Sequence, residues 1–190
     1  TLGCPDYSWE EIWSMAKDVG YSGVEMRGLG GTRFTASAAP FRDENIAKTR
    51  EKLEKMKLEI SCLSSGCALR FPERRDEAVE ELKLYIKIAA GIGCRYIRVL
   101  GDLTAGITTD FDDEYVISPM RELAPVAEAA GVTLLIETNG VYSHTDRLAS
   151  VLAAIGSDAA SFFQNMATSN LNGEDRHLLV APHGLKQRLL

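Results

Sequence analysis

The feature that most constrains this chain is a repeat. Short apolar, β-favouring runs begin near Val24, Glu59, Tyr96 and Val132, at intervals of 35, 37 and 36 residues. A stretch with apolar positions at helical spacing precedes each run, usually joined to it through a Gly-containing turn. The runs are too uniformly apolar for a sheet with one wet face. A βα unit repeated at this period therefore predicts a parallel sheet with helical cover. Two architectures satisfy that pattern: a closed (β/α) barrel and an open, doubly wound sheet.

The signals inside each unit agree with it. Ser8 to Glu11 has capping-box spacing, Ile12, Met15, Ala16 and Val19 form an apolar stripe, and Gly20 is a stop. Gly23 to Gly28 reads as a strand. Residues 43–57 read as a charged amphipathic helix, 58–63 as a strand ending in the polar turn Ser64-Ser65-Gly66, and 73–90 as a long helix closed by Gly91-Ile92-Gly93. Residues 96–100 give the next strand and 102–111 a loop. A helix is expected to open near Ser118-Pro119, since Pro suits a first helical turn. After the strand ending at Glu137, Thr145 or Asp146 caps a last helix that stops at Gly156. Thr1 to Cys4 reads as the end of an earlier strand. Gly28-x-Gly30 lacks the third glycine and following helix of a dinucleotide fingerprint, so it is read as a rim loop.

The polar residues bear on the choice of architecture. Glu25 and Arg27, Ser64 and Ser65, Arg98, and Glu137 all fall at or near the C-terminal ends of successive strands. A barrel assembles its site at that rim, whereas an open sheet concentrates it near one switch point. Alternation adds detail. Thr133, Leu135 and Glu137 share one strand face, Tyr96, Arg98 and Leu100 another, and Glu25 lies with Arg27. These mixed faces are expected to line the barrel interior and the purely apolar faces to meet helices.

Bulk properties exclude some partners. At 190 residues, one domain is the default. A net charge of −6 without a basic cluster argues against nucleic acid or an anionic membrane as partner. No apolar run approaches the roughly 20 residues that span a bilayer. The N-terminus shows no leader pattern and no initiator Met, which suggests a trimmed start. Cys4, Cys62, Cys67 and Cys94 match no zinc spacing and read as free thiols in a reducing cytoplasm.

Three stretches carry a family resemblance. They are Gly20-Tyr21-Ser22-Gly23-Val24-Glu25-Met26-Arg27-Gly28, the run from Ala89 to Val99, and Leu134-Leu135-Ile136-Glu137-Thr138-Asn139-Gly140. In this order and spacing, residues 1–156 resemble the sugar phosphate isomerase/epimerase family of xylose isomerase-like TIM barrels. The resemblance implies a (β/α)8 fold and a divalent-metal enzyme, using Mn, Mg or Zn, that acts on a small sugar, keto sugar or inositol-like substrate. It implies that Glu137 is a metal ligand, matching the family's strand 5 glutamate, and that Glu25 lines the pocket, matching its strand 2 glutamate. Both are the candidate catalytic carboxylates, with proton transfer through an enediolate as the expected chemistry. Arg27, Arg98, Asn139, His144 and Trp9 are the candidate substrate contacts. The bland alternatives are ion pairing for the charged residues, solvated loop positions for Asn139 and His144, and helix packing for Trp9.

The family's other ligands come from strands 6 to 8, and here the sequence departs from it. Residues 157–168 show no convincing apolar run, and 157–190 read as a divergent tail. The tail contains Glu174, Asp175, His177 and His183, from which a replacement metal site could be built. The reading is a partial barrel of about five βα units, with a frame change as a suggested origin of the tail. Two functions follow: an isomerase or epimerase, or a half-barrel binding module without a full metal site. A nuclease relative ranks last, because the chain is acidic and has no His before His144. Open sheet edges and apolar inner faces predict a homo-oligomer. Sedimentation at micromolar concentration checks this: association is expected, and a monodisperse monomer would overturn it.

Overall fold

A computed structural model describes residues 1–103 and 110–163. The order is α1 (Trp9–Val19), β1 (Gly23–Met26), α2 (Ile46–Met56), β2 (Glu59–Ala68), α3 (Arg75–Ile92), β3 (Tyr96–Leu100), α4 (Glu114–Ala129), β4 (Thr133–Glu137), α5 (Thr145–Ile155) and β5 (Ala160–Phe163). All five strands are parallel, and their order in the sheet is their order in the chain. No strand steps back past an earlier one, so the described sheet has no switch point. This is the winding of a barrel wall rather than of a doubly wound sheet.

Winding in one direction places the helices along one face. Helix α3 packs on β2 and β3, α4 on β4 and α5 on β5, and neighbouring helices touch in sequence. The side chains aimed at that layer are sealed: Ile97, Val99, Leu134 and Ile136 have no exposure. The opposite face is only partly covered. Tyr96, Thr133 and Leu135 are half-buried there, although they alternate with sealed neighbours.

Local chemistry sets most boundaries as the sequence suggests. The Ser8 hydroxyl accepts from the Glu11 amide at 3.3 Å, and the Glu11 carboxylate accepts from the Ser8 amide at 2.8 Å. This reciprocal cap starts α1, and Gly20, at φ +82°, ends it. Gly91 lies inside α3, where a Cβ would stand 2.4 Å from Ile46 Cγ2. A glycine there lets α2 and α3 approach closely. Gly93, at φ +79°, is the residue that caps the helix.

Several expectations are corrected. Helix α4 begins at Glu114 rather than at Ser118-Pro119, because the Asp112 carboxylate accepts the Glu114 amide at 3.0 Å and starts the helix earlier. Pro119 then sits inside the helix. Strand β2 runs through Ser64-Ser65-Gly66 to Ala68 rather than turning there, with register shifts against both neighbours. The two serines are not turn residues. Their hydroxyls find partners across the sheet, Ser64 on Glu25 and Ser65 on the Arg98 carbonyl at 2.8 Å. Beyond Gly156 the sheet continues, since β5 pairs with β4 from Leu134↔Ala160 to Glu137↔Phe163. Thr1 to Cys4 form no strand, but Thr1 lies beside β1, donating from its ammonium to the Glu25 carbonyl at 2.6 Å and from Oγ1 to the Gly28 carbonyl at 2.7 Å.

Cys62, Cys67 and Cys94 are buried free thiols and Cys4 is half-buried. Burial pushes the Cys94 thiol up to about 11, and hydrogen bonding with the backbone at Tyr96 and Leu63 does not offset that. No described helix is long and apolar enough to cross a membrane.

The two faces of β4 predict unequal costs. Leu134→Ala should lose about 2–5 kcal/mol of stability, the range for a sealed leucine, and Leu135→Ala less than half of that. Urea denaturation of both variants checks this, and equal losses would contradict the assignment of faces.

Candidate functional site

Register places the polar side chains. Pairing aligns Glu25 with Cys62, Ser64 with Arg98, and Arg98 with Leu135. Residues paired across parallel strands point to the same face, and so do residues two apart on one strand. Glu25, Ser64, Arg98 and Glu137 therefore share the face opposite the described helices, towards the C-terminal ends of the strands.

They also interact. Arg98 is 1% exposed and Glu137 7%. The Arg98 Nε stands 3.4 Å from Glu137 Oε2, an ion pair somewhat longer than a hydrogen bond. A second guanidinium nitrogen of Arg98 donates to the Ser65 carbonyl at 3.1 Å. Glu25 accepts from the Ser64 hydroxyl. Burial holds the Arg98 guanidinium below its ordinary value, opposed by the charge of Glu137, deepened by Arg27 and opposed again by Glu25. Two carboxylates and two guanidinium groups, from β1 and its end, β3 and β4, thus form one electrostatic cluster.

The other candidates fall around it. Arg27 is exposed at the end of β1, with its amide donating to Thr1 Oγ1 at 2.9 Å. Asn139 is buried, and its side-chain oxygen accepts from the Gly140 amide at 2.9 Å. His144 is exposed at the start of α5 and makes no side-chain cap. Trp9 is buried edge-on against Trp13 and Phe41, with ring centres 5.2 and 5.9 Å away. It lines a cleft of about 430 Å3 with Leu29, Pro40 and Arg42, which none of the cluster residues lines. The structure thus brings together Glu25, Arg27, Arg98 and Glu137, and leaves Trp9 apart. Glu174, Asp175, His177 and His183 lie outside the described residues.

One residue of this rim has no role in the sequence reading. Asp102, with no exposure, accepts from Arg70, from the Leu103 amide at 2.7 Å and from the Val141 amide at 3.0 Å. Around it, Arg147 pairs with Asp110 at 2.6 Å and with Asp113 at 2.9 Å, and the Tyr142 hydroxyl donates to Asp113 at 2.9 Å. The guanidinium carbons of Arg70 and Arg147 lie 4.9 and 5.6 Å from the Phe111 ring centre. An Asp directly after a Gly at a strand end was the available signal, but such a pair reads equally well as an ordinary turn.

The fit of a divalent ion can be judged from the donors. Among the described residues, no three His, Cys, Asp or Glu side chains converge to hold a metal. Glu137 turns one oxygen towards a guanidinium. The described residues do not, by themselves, fit a divalent ion.

Comparison with known proteins fits this geometry. A family model described as xylose isomerase-like TIM barrel matches residues 13–182, running past Gly156, where the sequence motifs end. No curated protein matches the chain. Among solved structures, L-ribulose 3-epimerase superposes with a TM-score of 0.70 at 17% identity, covering 88% of this chain and 59% of that one. A xylose isomerase-like TIM barrel protein from Mycobacterium smegmatis in complex with magnesium gives 0.67 at 15%, covering 90% and 64%. The IOLI protein with a bound zinc atom gives 0.66 at 14%, covering 83% and 58%. The chain therefore spans 58 to 64% of the length of these three relatives in fold.

The buried pair predicts an asymmetric mutational response. Arg98→Ala strands the Glu137 carboxylate in a desolvated site and should cost about 3–5 kcal/mol, whereas Arg98→Leu with Glu137→Leu should recover most of that loss. Chemical denaturation of the single and double variants checks this. A double variant no more stable than Arg98→Ala would show that the pair is not the source of the cost.

Proposed function

The chain belongs to the xylose isomerase-like TIM barrel family, a family that includes sugar epimerases and isomerases, and from that premise we propose that it binds a small sugar, keto sugar or inositol-like polyol and isomerises or epimerises it by proton transfer through an enediolate. The observation that carries the proposal is the convergence of Glu25 and Glu137 around Arg98 on the face of the sheet opposite the described helices.

The roles follow from chemistry. A carboxylate beside a carbon α to a carbonyl can take its proton and return it to the neighbouring carbon through an enediolate. Glu137 and Glu25, which share one face of the sheet, would be the carboxylates for this step. Glu137 is held by a fixed cation and Glu25 by a hydroxyl donor, so both are positioned before a ligand arrives. Arg27 at the mouth, together with Asn139 and His144 on the loop after β4, would meet sugar hydroxyls. Trp9, in its own cleft, would reach only an extended ligand. A divalent ion, Mn, Mg or Zn, supplies Lewis-acid polarisation of carbonyl oxygens in such chemistry. Glu137 alone carries over as a ligand here, so no step is assigned to that ion.

A second reading rests on the same pair. A carboxylate engaged with a buried guanidinium suits a sugar-binding module as well as an enzyme. A panel of aldoses and ketoses in heavy water, with Mn2+ or Mg2+ present, separates the two. The expected result is deuterium incorporation next to the carbonyl of at least one sugar, lowered by about 10²–10⁴-fold in Glu137→Gln. Sugar binding without exchange would establish the module, and neither binding nor exchange would overturn both readings.

A further inference from the structure

Strand pairing between β3 and β4 runs in register from Tyr96↔Thr133 to Val99↔Ile136 and then stops. Beyond that point nothing in the ladder keeps the two chains together. Asp102 lies four residues past Arg98, and Val141 four residues past Glu137. The Asp102 carboxylate spans the gap, with Oδ2 accepting from the Val141 amide at 3.0 Å and Oδ1 accepting from the Leu103 amide at 2.7 Å and from Arg70. Two glycines permit the approach. A Cβ on Gly140 would stand 2.1 Å from Asp102 Oδ2, and Gly140 has φ +57°; a Cβ on Gly101 would stand 2.5 Å from the Tyr142 ring.

We infer that Asp102 is a positioning residue that fixes the Glu137 carboxylate against Arg98 by clasping the loops that follow β3 and β4. The side chain continues the ladder where backbone pairing ends. It clamps the segment Glu137 to Val141 at its far end, while β4 holds the near end. Inside that span the Asn139 amide donates back to the Glu137 carbonyl at 2.8 Å, a tight turn that transmits the position of one end to the other. Without the clasp, the Glu137 side chain would sample positions away from the Arg98 Nε. The significance of that contact for catalysis rests on the sugar-isomerase reading; the clasp itself does not.

Hydrogen exchange by NMR tests the inference on the wild-type protein first. The Arg98 Nε–H and the Val141 amide should open as one unit, with the same opening free energy and the same urea dependence. Asp102→Asn replaces the acceptor facing an amide with a weaker or mismatched one. It should speed exchange of the Arg98 Nε–H by about tenfold or more while core amides in α3 keep their protection. If Val141 opens independently while the Arg98 Nε–H stays protected, in either protein, Asp102 braces only its own loop and the inference is wrong. Should Asp102→Asn not fold, the wild-type comparison alone decides the question. A silent sugar panel would sink the enzymatic reading without touching these exchange data, so the two failures are distinguishable.

Discussion

Each βα unit in this molecule steps the same way along the sheet, and that forces all the helices onto one side. The helix-facing residues, such as Ile97 and Leu134, can then be wholly apolar and wholly sealed. Among the described residues, no helix is layered on the other face, although Ser64, Arg98 and Glu137 are buried there. Polar and charged side chains that would be intolerable under a helix can stand on it, provided they satisfy one another. The Arg98–Glu137 pair, the Ser64–Glu25 bond and the Ser65 hydroxyl on the Arg98 carbonyl are that mutual satisfaction. The site is a consequence of the winding direction before it is a consequence of any single residue.

A buried ion pair is a poor way to stabilise a fold. Desolvating a guanidinium and a carboxylate costs several kcal/mol per ion, and their attraction often does no more than offset it. Burial holds the Arg98 guanidinium below its ordinary value despite the carboxylate beside it. A leucine pair at these positions would serve the sheet nearly as well. Under the proposed function, charge on this face serves recognition of polar groups rather than stability. The near balance of two carboxylates against two guanidinium groups suits a neutral, hydroxyl-rich molecule better than a strongly charged one.

Much of this was legible in the sequence, and the failures have a common cause. The strand period gave the parallel architecture, and alternation put Glu25, Arg98 and Glu137 on one face, because both depend only on backbone geometry. Ser64 and Ser65 misled, since a polar pair at a strand end reads as a turn unless its cross-strand partners are known. Pro119 misled because the Asp112 carboxylate sets the start of α4 and leaves the proline to be tolerated inside. Strand β5 was missed because Ala160-Ser161-Phe162-Phe163 is short and its identity comes from pairing with β4 rather than from its own propensity. Asp102 was missed for the same kind of reason. Its role lies in an amide 39 residues away, and no local pattern records that.

The rim after β4 is tied down by several contacts besides the ion pair. Gly140 has no side chain, so its backbone can press against a carboxylate, and the Asn139 side-chain oxygen accepts from the next amide. Tyr142 and Arg147 are tied to Asp113, which itself stands at the start of α4. A loop assembled this way resists movement at both ends. Reactive geometry demands that resistance, because a carboxylate displaced by an ångström loses most of its advantage in proton transfer. On the proposed reading, the charged groups supply the chemistry, and the groups one turn beyond them hold those charged groups in place.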